Sequence, residues 1–372
     1  MKFLRALSVF AGTIIGVGIF GLPYVASKAG FFVVVLYFLF LSVIAIAIHL
    51  IYGKIALGTT TIRRLPGYAG EYLGPKWKKF AFLMMGLGII GALLAYLVVG
   101  GEFLSSFLSP YFGGNSLIYT LLFFGLGSFL IFRGIKNISQ IELVLLVVFF
   151  IILFIFFTKT FSFIDINYLK NIDLKFLTLP YGVILFALWG STTIPEVKEI
   201  LEGDAKLLKR VIISGVLLAA LTYLFFIFIV FGASGQDTSK EAISGLSLVL
   251  GDGVIRLGFI FGIITCFTSF LTLGLALKRV FMYDFGLKPN LSWLIACFLP
   301  LLLFFLGVRE FIEIISLTGS LAIGCMGITI IFTYKKFLKR KFSRKMNPAV
   351  YILLLVFLLG VFSEIFYCIF AK

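Results

Sequence analysis

Charge is scarce in this chain: only 13% of its 372 residues are Asp, Glu, Lys or Arg, and acid is rarer still, with 16 Asp and Glu against 32 Lys and Arg. With 61% hydrophobic residues beside it, that scarcity excludes an ordinary soluble domain. There is one histidine, and the four cysteines (Cys266, Cys297, Cys325, Cys368) fall within or at the ends of apolar spans without metal-ligand spacing. Neither a zinc site nor a disulfide framework is indicated, and the cysteines read as small buried hydrophobes. Missing too are a nucleotide-binding loop, a His/Asp/Glu metal cluster and any loop long enough for a soluble catalytic domain, the longest lying around 58–76 and 233–251. No enzyme activity is expected, and no cofactor beyond a coupling ion.

Apolar runs of about 20 residues recur along the whole chain, the length that crosses a hydrocarbon core as helix. An all-α polytopic membrane protein follows. The net charge of +16 does not call for nucleic acid, because the basic residues sit in short loops between spans rather than on one solvated face. The lipid bilayer is the partner they fit. Lys2 and Arg5 precede an apolar run as in a signal peptide, but the glycine-broken pattern and the Pro23-Tyr24 continuation fit a retained span.

Eleven spans are expected, at 3–29, 31–56, 77–108, 116–133, 139–158, 177–200, 208–232, 252–283, 290–307, 311–333 and 347–370. A cytoplasmic amino terminus puts 24 of the 32 basic residues inside, among them Arg63, Arg64, Lys76, Lys78, Lys79 and the run from Lys335 to Lys345. The carboxyl terminus is then extracellular. The whole chain reads as one transporter domain: residues 1–158 as a first five-helix repeat, 176–333 as a second, inverted because five is odd, and 347–370 as an additional helix with a peripheral role.

The first span holds Gly12, Gly16, Gly18, Gly21 and Pro23, and the sixth holds Gly190, Ser191, Thr192, Thr193 and Pro195 near its middle and inner half. Gly12 and Gly16 alone would suit a small-xxx-small packing face. The added glycines, the proline and the matching position of the two interruptions point instead to broken helices, which are tolerated at membrane depth only where the freed backbone faces protein, water or a ligand.

The GxxxGxGIFGLPY pattern of span one and the FAxxGxxxIPE pattern of span six resemble the amino acid/polyamine/organocation superfamily, nearest its amino acid/auxin and aromatic amino acid permeases. The resemblance covers the ten-helix core and implies the leucine-transporter fold and alternating access. Within it, residues 3–12 are expected as an inner half-helix, 13–18 as extended chain and an outer half-helix from Ile19. The N–H groups of Gly16, Val17 and Gly18 then converge at the positive end of the outer half-helix and suit a carboxylate. The carbonyls of Thr13, Ile14, Phe186, Ala187 and Leu188 form a negative patch that suits an ammonium, so an amino-acid zwitterion matches both ends. Trp189 reads either as a gating aromatic or as a packed one. Gly86, Gly88, Gly91, Ala92 and Ala95 let span three pack close to the breaks, and Tyr96 there is placed to reach the carboxylate, as a tyrosine on this helix does in some relatives.

Span eight carries Thr265, Thr268, Ser269 and Thr272 at i, i+3, i+4 and i+7, all on one helix face. In sodium-coupled relatives a Thr-Ser pair on this helix joins span-one carbonyls around Na⁺. The matching oxygens here are the hydroxyls of Thr268 and Ser269 with the carbonyls of Gly12, Ile15 and Thr265. The other reading of the stripe is bonding back to its own helix at i−4.

Proton coupling is the rival. Some proton-driven relatives place a span-five lysine at the sodium position, but no lysine lies between Asn137 and Phe157. Glu142 lies near the cytoplasmic end of span five. His49, Glu102, Glu196 and Glu313 are the other ionisable candidates, with His49 read as a hydrogen-bonded packing residue and Glu196 as an inner-gate partner. The expected function is secondary transport of a neutral amino acid with Na⁺ ahead of H⁺. Proton-coupled or exchange transport, or an amino-acid sensor on the same fold, as in some spore germination receptor subunits, are the alternatives.

Overall fold

The computed structural model describes residues 2–59, 63–134, 138–248 and 250–370, with no strand among them. Span one is two helices, α1 (Lys2–Ile14) and α2 (Gly18–Ala29), bent by 50° at their break. They are followed by α3 (Phe31–Gly58), α4 (Leu65–Leu73), α5 (Pro75–Phe112), α6 (Ser116–Arg133) and α7 (Ile138–Thr160). Span six is again divided, into α8 (Leu179–Ala187) and α9 (Ile194–Ile200), with a 3-10 turn Ser191–Thr193 between them. Then come α10 (Ala205–Ser234), α11 (Asp252–Phe285), α12 (Pro289–Phe305), α13 (Phe311–Leu317), a π-helical stretch Thr318–Ile323, α14 (Gly324–Phe342) and α15 (Val350–Phe370). Taking the bent α1/α2 pair, the divided α8/α9 and the run of α13, the π stretch and α14 as one segment each, and leaving out the short α4, the described residues hold eleven helical segments, of which eight, the α1/α2 pair included, are long and apolar enough to cross a membrane.

Local chemistry sets several boundaries. The Asp204 side chain accepts the N–H groups of Lys206 and Leu207 at 2.8 and 3.0 Å and starts α10, while Asn115 caps α6 through the Ile118 N–H at 3.1 Å. Gly30, at φ 102°, turns α2 directly into α3, and a side chain there would run into the Asn171 carbonyl. The helix α4 lies within the loop that the sequence leaves unstructured.

The exposed face is apolar. Leu36, Leu39 and Val43 on α3, Val147, Ile151 and Phe154 on α7, and Leu355, Leu359, Phe362 and Phe366 on α15 are all exposed at three- and four-residue spacing. Such stripes are covered by lipid rather than water. Inside them α2 is buried almost along its whole length, packed chiefly against α8, α10, α3 and α13. Of the cysteines, Cys266 and Cys297 are buried as expected, but Cys325 is only partly covered and Cys368 is exposed.

The break in span one is shorter than expected. The helix runs on to Ile14, and Ile15–Val17 form a tight turn rather than an extended segment, with Val17 at φ −57° and ψ −24°. The Ile15 N–H still reaches the Ala11 carbonyl at 2.8 Å, which carries the helix past Thr13 before Gly16 turns its N–H back to Ile14.

Candidate functional site

Once Gly16 donates to Ile14 at 2.8 Å and Ile19 to Gly16 at 3.3 Å, the helical pattern of span one is broken. The carbonyls of Gly12, Thr13 and Ile15 receive no backbone N–H, and the N–H groups of Val17 and Gly18 reach no backbone carbonyl among the described residues. Buried groups of both polarities are left at one place, and each needs a partner.

Span six is completed differently. Leu188 donates to Ile184 at 2.9 Å and Trp189 to Phe186 at 3.2 Å, while the Thr193 N–H and hydroxyl both reach the Gly190 carbonyl. The Gly190 N–H is taken by Nε2 of His49 at 3.1 Å. From α10, the buried Tyr223 hydroxyl is shared between the carbonyls of Ile14 at 2.5 Å and Ala187 at 3.1 Å. One side chain thus ties the ends of both broken spans. Of the carbonyls expected for the ammonium, those of Ile14, Ala187 and Phe186 each already accept a protein donor, while that of Thr13, also on the cavity wall, receives no backbone N–H.

A central cavity of about 50 Å³ opens at these breaks, and its walls include Thr13, Ile14, Gly16, Val17 and Gly18 of span one and Phe186, Ala187 and Trp189 of span six. Leu188 is not among them. Its N–H closes the last turn of α8 and its side chain is fully buried elsewhere in the core. Tyr96 also lines the cavity, its hydroxyl beside the Val17 backbone and the Ser269 hydroxyl. A Cβ on Gly16 would stand 2.6 Å from that hydroxyl, so glycine is required for the approach of Tyr96 as well as of any ligand. The small residues of span three do wall the site through Gly88 and Ala92, and Ile89, Thr192, Leu273, Ile323 and Met326 complete it. No charged side chain is on this wall.

A second, smaller cavity brings together Gly12, Ile15, Thr265, Thr268 and Ser269, closed by Leu146 and Phe149 of α7. Thr272, on the same helix face, is not part of it. The Thr268 hydroxyl donates back to the carbonyls of Ile264 at 2.9 Å and Thr265 at 3.3 Å, which leaves its oxygen lone pairs as acceptors. Two carbonyls without backbone donors, a third carbonyl and two hydroxyls are neutral hard oxygens. That set fits a small monovalent cation and needs no carboxylate. Among the described residues no group of three or more His, Cys, Asp or Glu is placed to hold a metal ion.

None of the four described proton candidates lines either cavity. His49 is buried behind Trp189, Glu102 is exposed on α5, and Glu313 faces a separate cleft on the far side of the bundle. The Glu142 side chain lies outside the described residues. Glu196 pairs with Arg64 at 2.9 Å, and Arg64 also donates to the Ala276 carbonyl at 2.9 Å. On the same face Lys2 meets Glu202 at 2.7 Å and Lys198 donates to the Ala56 carbonyl at 2.7 Å. On the opposite face Lys240 pairs with Glu310, whose carboxylate raises the lysine's pKa above its usual value.

A family model described as the tryptophan/tyrosine permease family matches residues 1–367. The crystal structure of MhsT in complex with L-phenylalanine superposes with a TM-score of 0.68 over 97% of this chain and 97% of that one, at 16% identity. Mhp1 in its inward-facing conformation gives 0.69 over 98% of this chain and 88% of that one, at 14% identity. A manganese transporter from Eremococcus coleocola gives 0.68 over 98% and 87%, at 12% identity. These likenesses show the leucine-transporter fold. Among curated proteins, none matches by sequence.

Proposed function

The chain belongs to the tryptophan/tyrosine permease family, a membrane transporter rather than an enzyme, and from that premise we propose that it carries an aromatic neutral amino acid together with Na⁺ by alternating access. The observation that carries this reading is the break of span one, which presents the Thr13 carbonyl and the Gly18 N–H, with the Val17 backbone beside the Tyr96 hydroxyl, to a cavity otherwise walled by uncharged side chains. The substrate carboxylate binds the N–H groups of Val17 and Gly18, at the positive end of α2. Its ammonium binds the Thr13 carbonyl. The side chain lies among Ile89, Leu273, Ile323 and Met326, with room made by Gly88 and Ala92.

The coupling ion belongs in the smaller cavity, between the Gly12, Ile15 and Thr265 carbonyls and the Thr268 and Ser269 hydroxyls. Tyr96 touches the substrate wall with its ring and Ser269 with its hydroxyl, so filling one cavity favours the arrangement the other requires. Residues 1–158 and 176–333 act as the inverted repeats, with helix 347–370 outside them. The amino terminus is cytoplasmic and the carboxyl terminus extracellular, and Arg64 with Glu196 holds the cytoplasmic side shut while substrate enters. A ligand moves such an equilibrium only through its differential affinity for the two states.

Thermal unfolding of the purified protein against a panel of amino acids, with Na⁺ or with choline in its place, tests the reading. Stabilisation by an aromatic amino acid only in Na⁺ is the expected result. Stabilisation indifferent to Na⁺ would replace sodium by proton coupling or exchange. Binding without accumulation in proteoliposomes would make the protein a sensor.

A further inference from the structure

His49 is the chain's one histidine and is fully buried within α3. Its two ring nitrogens face partners of opposite kind. Nδ1 lies 2.6 Å from the Ala45 carbonyl, which only accepts, and Nε2 lies 3.1 Å from the Gly190 N–H, which only donates. Together they fix the neutral ring with its proton on Nδ1.

Neither a relay nor a filler needs this arrangement. A relay needs a nitrogen open to a proton path, and both nitrogens are engaged while the ring is on the wall of neither cavity. A filler needs only volume, which a phenylalanine would supply, but that would leave the buried Gly190 N–H without an acceptor. The ring also meets Phe10 of α1 edge-on at 5.6 Å and Trp189 at 5.2 Å, so it touches both broken spans. Trp189 is 8% exposed, and its indole N–H has no acceptor among the described residues. Its place in the cavity wall is therefore set by the backbone turn it stands on and by its ring contacts.

We propose that His49 is a positioning residue of the substrate site: by accepting the Gly190 N–H it holds the opened turn of span six, and through that turn it sets where Trp189 stands in the cavity wall. The inference rests on the central cavity being the substrate site.

Two substitutions test it. His49→Gln keeps an acceptor near the position of Nε2, whereas His49→Phe keeps volume alone. Amino-acid uptake by proteoliposomes gives KM, maximal rate and the sodium concentration for half-saturation. Emission of Trp189, in a background with Trp77→Phe and Trp293→Phe, reports its surroundings. His49→Phe is expected to raise KM about tenfold and shift the emission, with the maximal rate and sodium half-saturation little changed, while His49→Gln keeps KM within about threefold of the parent. A wild-type KM and emission in His49→Phe overturns the proposal, as does equal impairment in the two variants. If His49→Phe does not fold, His49→Gln decides alone: a preserved KM supports the acceptor role and a tenfold rise ends it. If the wild-type protein takes up no amino acid, the reading of the cavity fails, and Trp189 emission in the variants still decides the role of His49.

Discussion

The two broken spans carry similar sequence signals, yet their backbones are completed by different means. In span six distant side chains supply partners at the break, His49 for the Gly190 N–H and Tyr223 for the Ala187 carbonyl, with Thr193 closing on the Gly190 carbonyl, while the Ser191 and Thr192 N–H groups reach no backbone carbonyl among the described residues. In span one Tyr223 reaches Ile14 and the Tyr96 hydroxyl lies beside the Val17 backbone, but the carbonyls of Gly12, Thr13 and Ile15 and the Gly18 N–H have no backbone partner among the described residues. A break at membrane depth has to be completed by something. We therefore read span six as the break held more by distant side chains, and span one as the break that leaves more of its backbone for a ligand to complete. Substitutions in span one should act on ligand binding, and those around span six on stability or on the position of the wall.

The largest effect is expected at Gly16. In Gly16→Val the new Cβ stands 2.6 Å from the Tyr96 hydroxyl, so Tyr96 must leave or the turn must open, and a branched side chain also covers the N–H groups meant for the carboxylate. Amino-acid affinity should fall about a hundredfold or more, roughly 2.7 kcal/mol, read as loss of substrate-induced thermal stabilisation relative to the variant's own unliganded Tm. A variant that binds with normal affinity would mean that span one is not the ligand-completed break.

Next is the pair Thr268→Ala with Ser269→Ala, which removes two of the five oxygens around the smaller cavity and leaves the Gly12 and Ile15 carbonyls with fewer neighbours to share a cation. Half-saturation by sodium should rise by about tenfold, roughly 1.4 kcal/mol. Sodium stimulation identical to wild type in the double variant would remove the cation from this cavity.

Tyr223→Phe tests the shared tie. It takes the hydroxyl donor from Ile14 and Ala187 without opening a void, and a buried carbonyl left without its donor costs about 1–3 kcal/mol. Because Ile14 keeps the Gly16 N–H, most of the loss falls on span six. A Tm lowered by several degrees, with a change in KM smaller than that of Gly16→Val, is the expected pattern. The reverse pattern would make Tyr223 part of the ligand site and erase the contrast between the breaks.

The breaks themselves are legible in the sequence because glycine and proline are local signals, readable without knowing what lies opposite. The smaller cavity is legible for a related reason: i, i+3 and i+4 spacing places Thr265, Thr268 and Ser269 on one face of a single helix, and the family likeness supplies Gly12 and Ile15. The partners that complete span six are not legible. His49 is 141 residues from Gly190, and Tyr223 is 209 from Ile14, so each contact depends on where distant helices cross. Nothing in α10 marks Tyr223 among its aromatic neighbours. Leu188 shows the limit of register: its N–H closes the last turn of α8, so a residue next to two wall residues is itself outside the wall. The Tyr96 hydroxyl shows the same limit, since its position between Val17 and Ser269 follows from the depth at which α5 packs against α11.

The smallest effect is expected at the ion pair that anchors the N-terminal-face half of span six. Arg64 and Glu196 lie 2.9 Å apart with side chains 21% and 35% exposed, and pairs this open contribute about 0–1 kcal/mol. Glu196→Gln keeps the size of the side chain and a hydrogen bond to the guanidinium, and Arg64 keeps the Ala276 carbonyl. The loss is then confined to the charge term. If the pair is a latch for this face, about 0.5 kcal/mol shifts the open population roughly twofold, and amide exchange along α1 and α9 should quicken together while KM stays near the wild-type value. Faster exchange in α9 without α1 would mean the pair steadies span six alone. A KM as damaged as that of Gly16→Val would show that span six is not the more firmly held break, because a change at its far end would then have reached the ligand through a backbone that His49 and Tyr223 were holding.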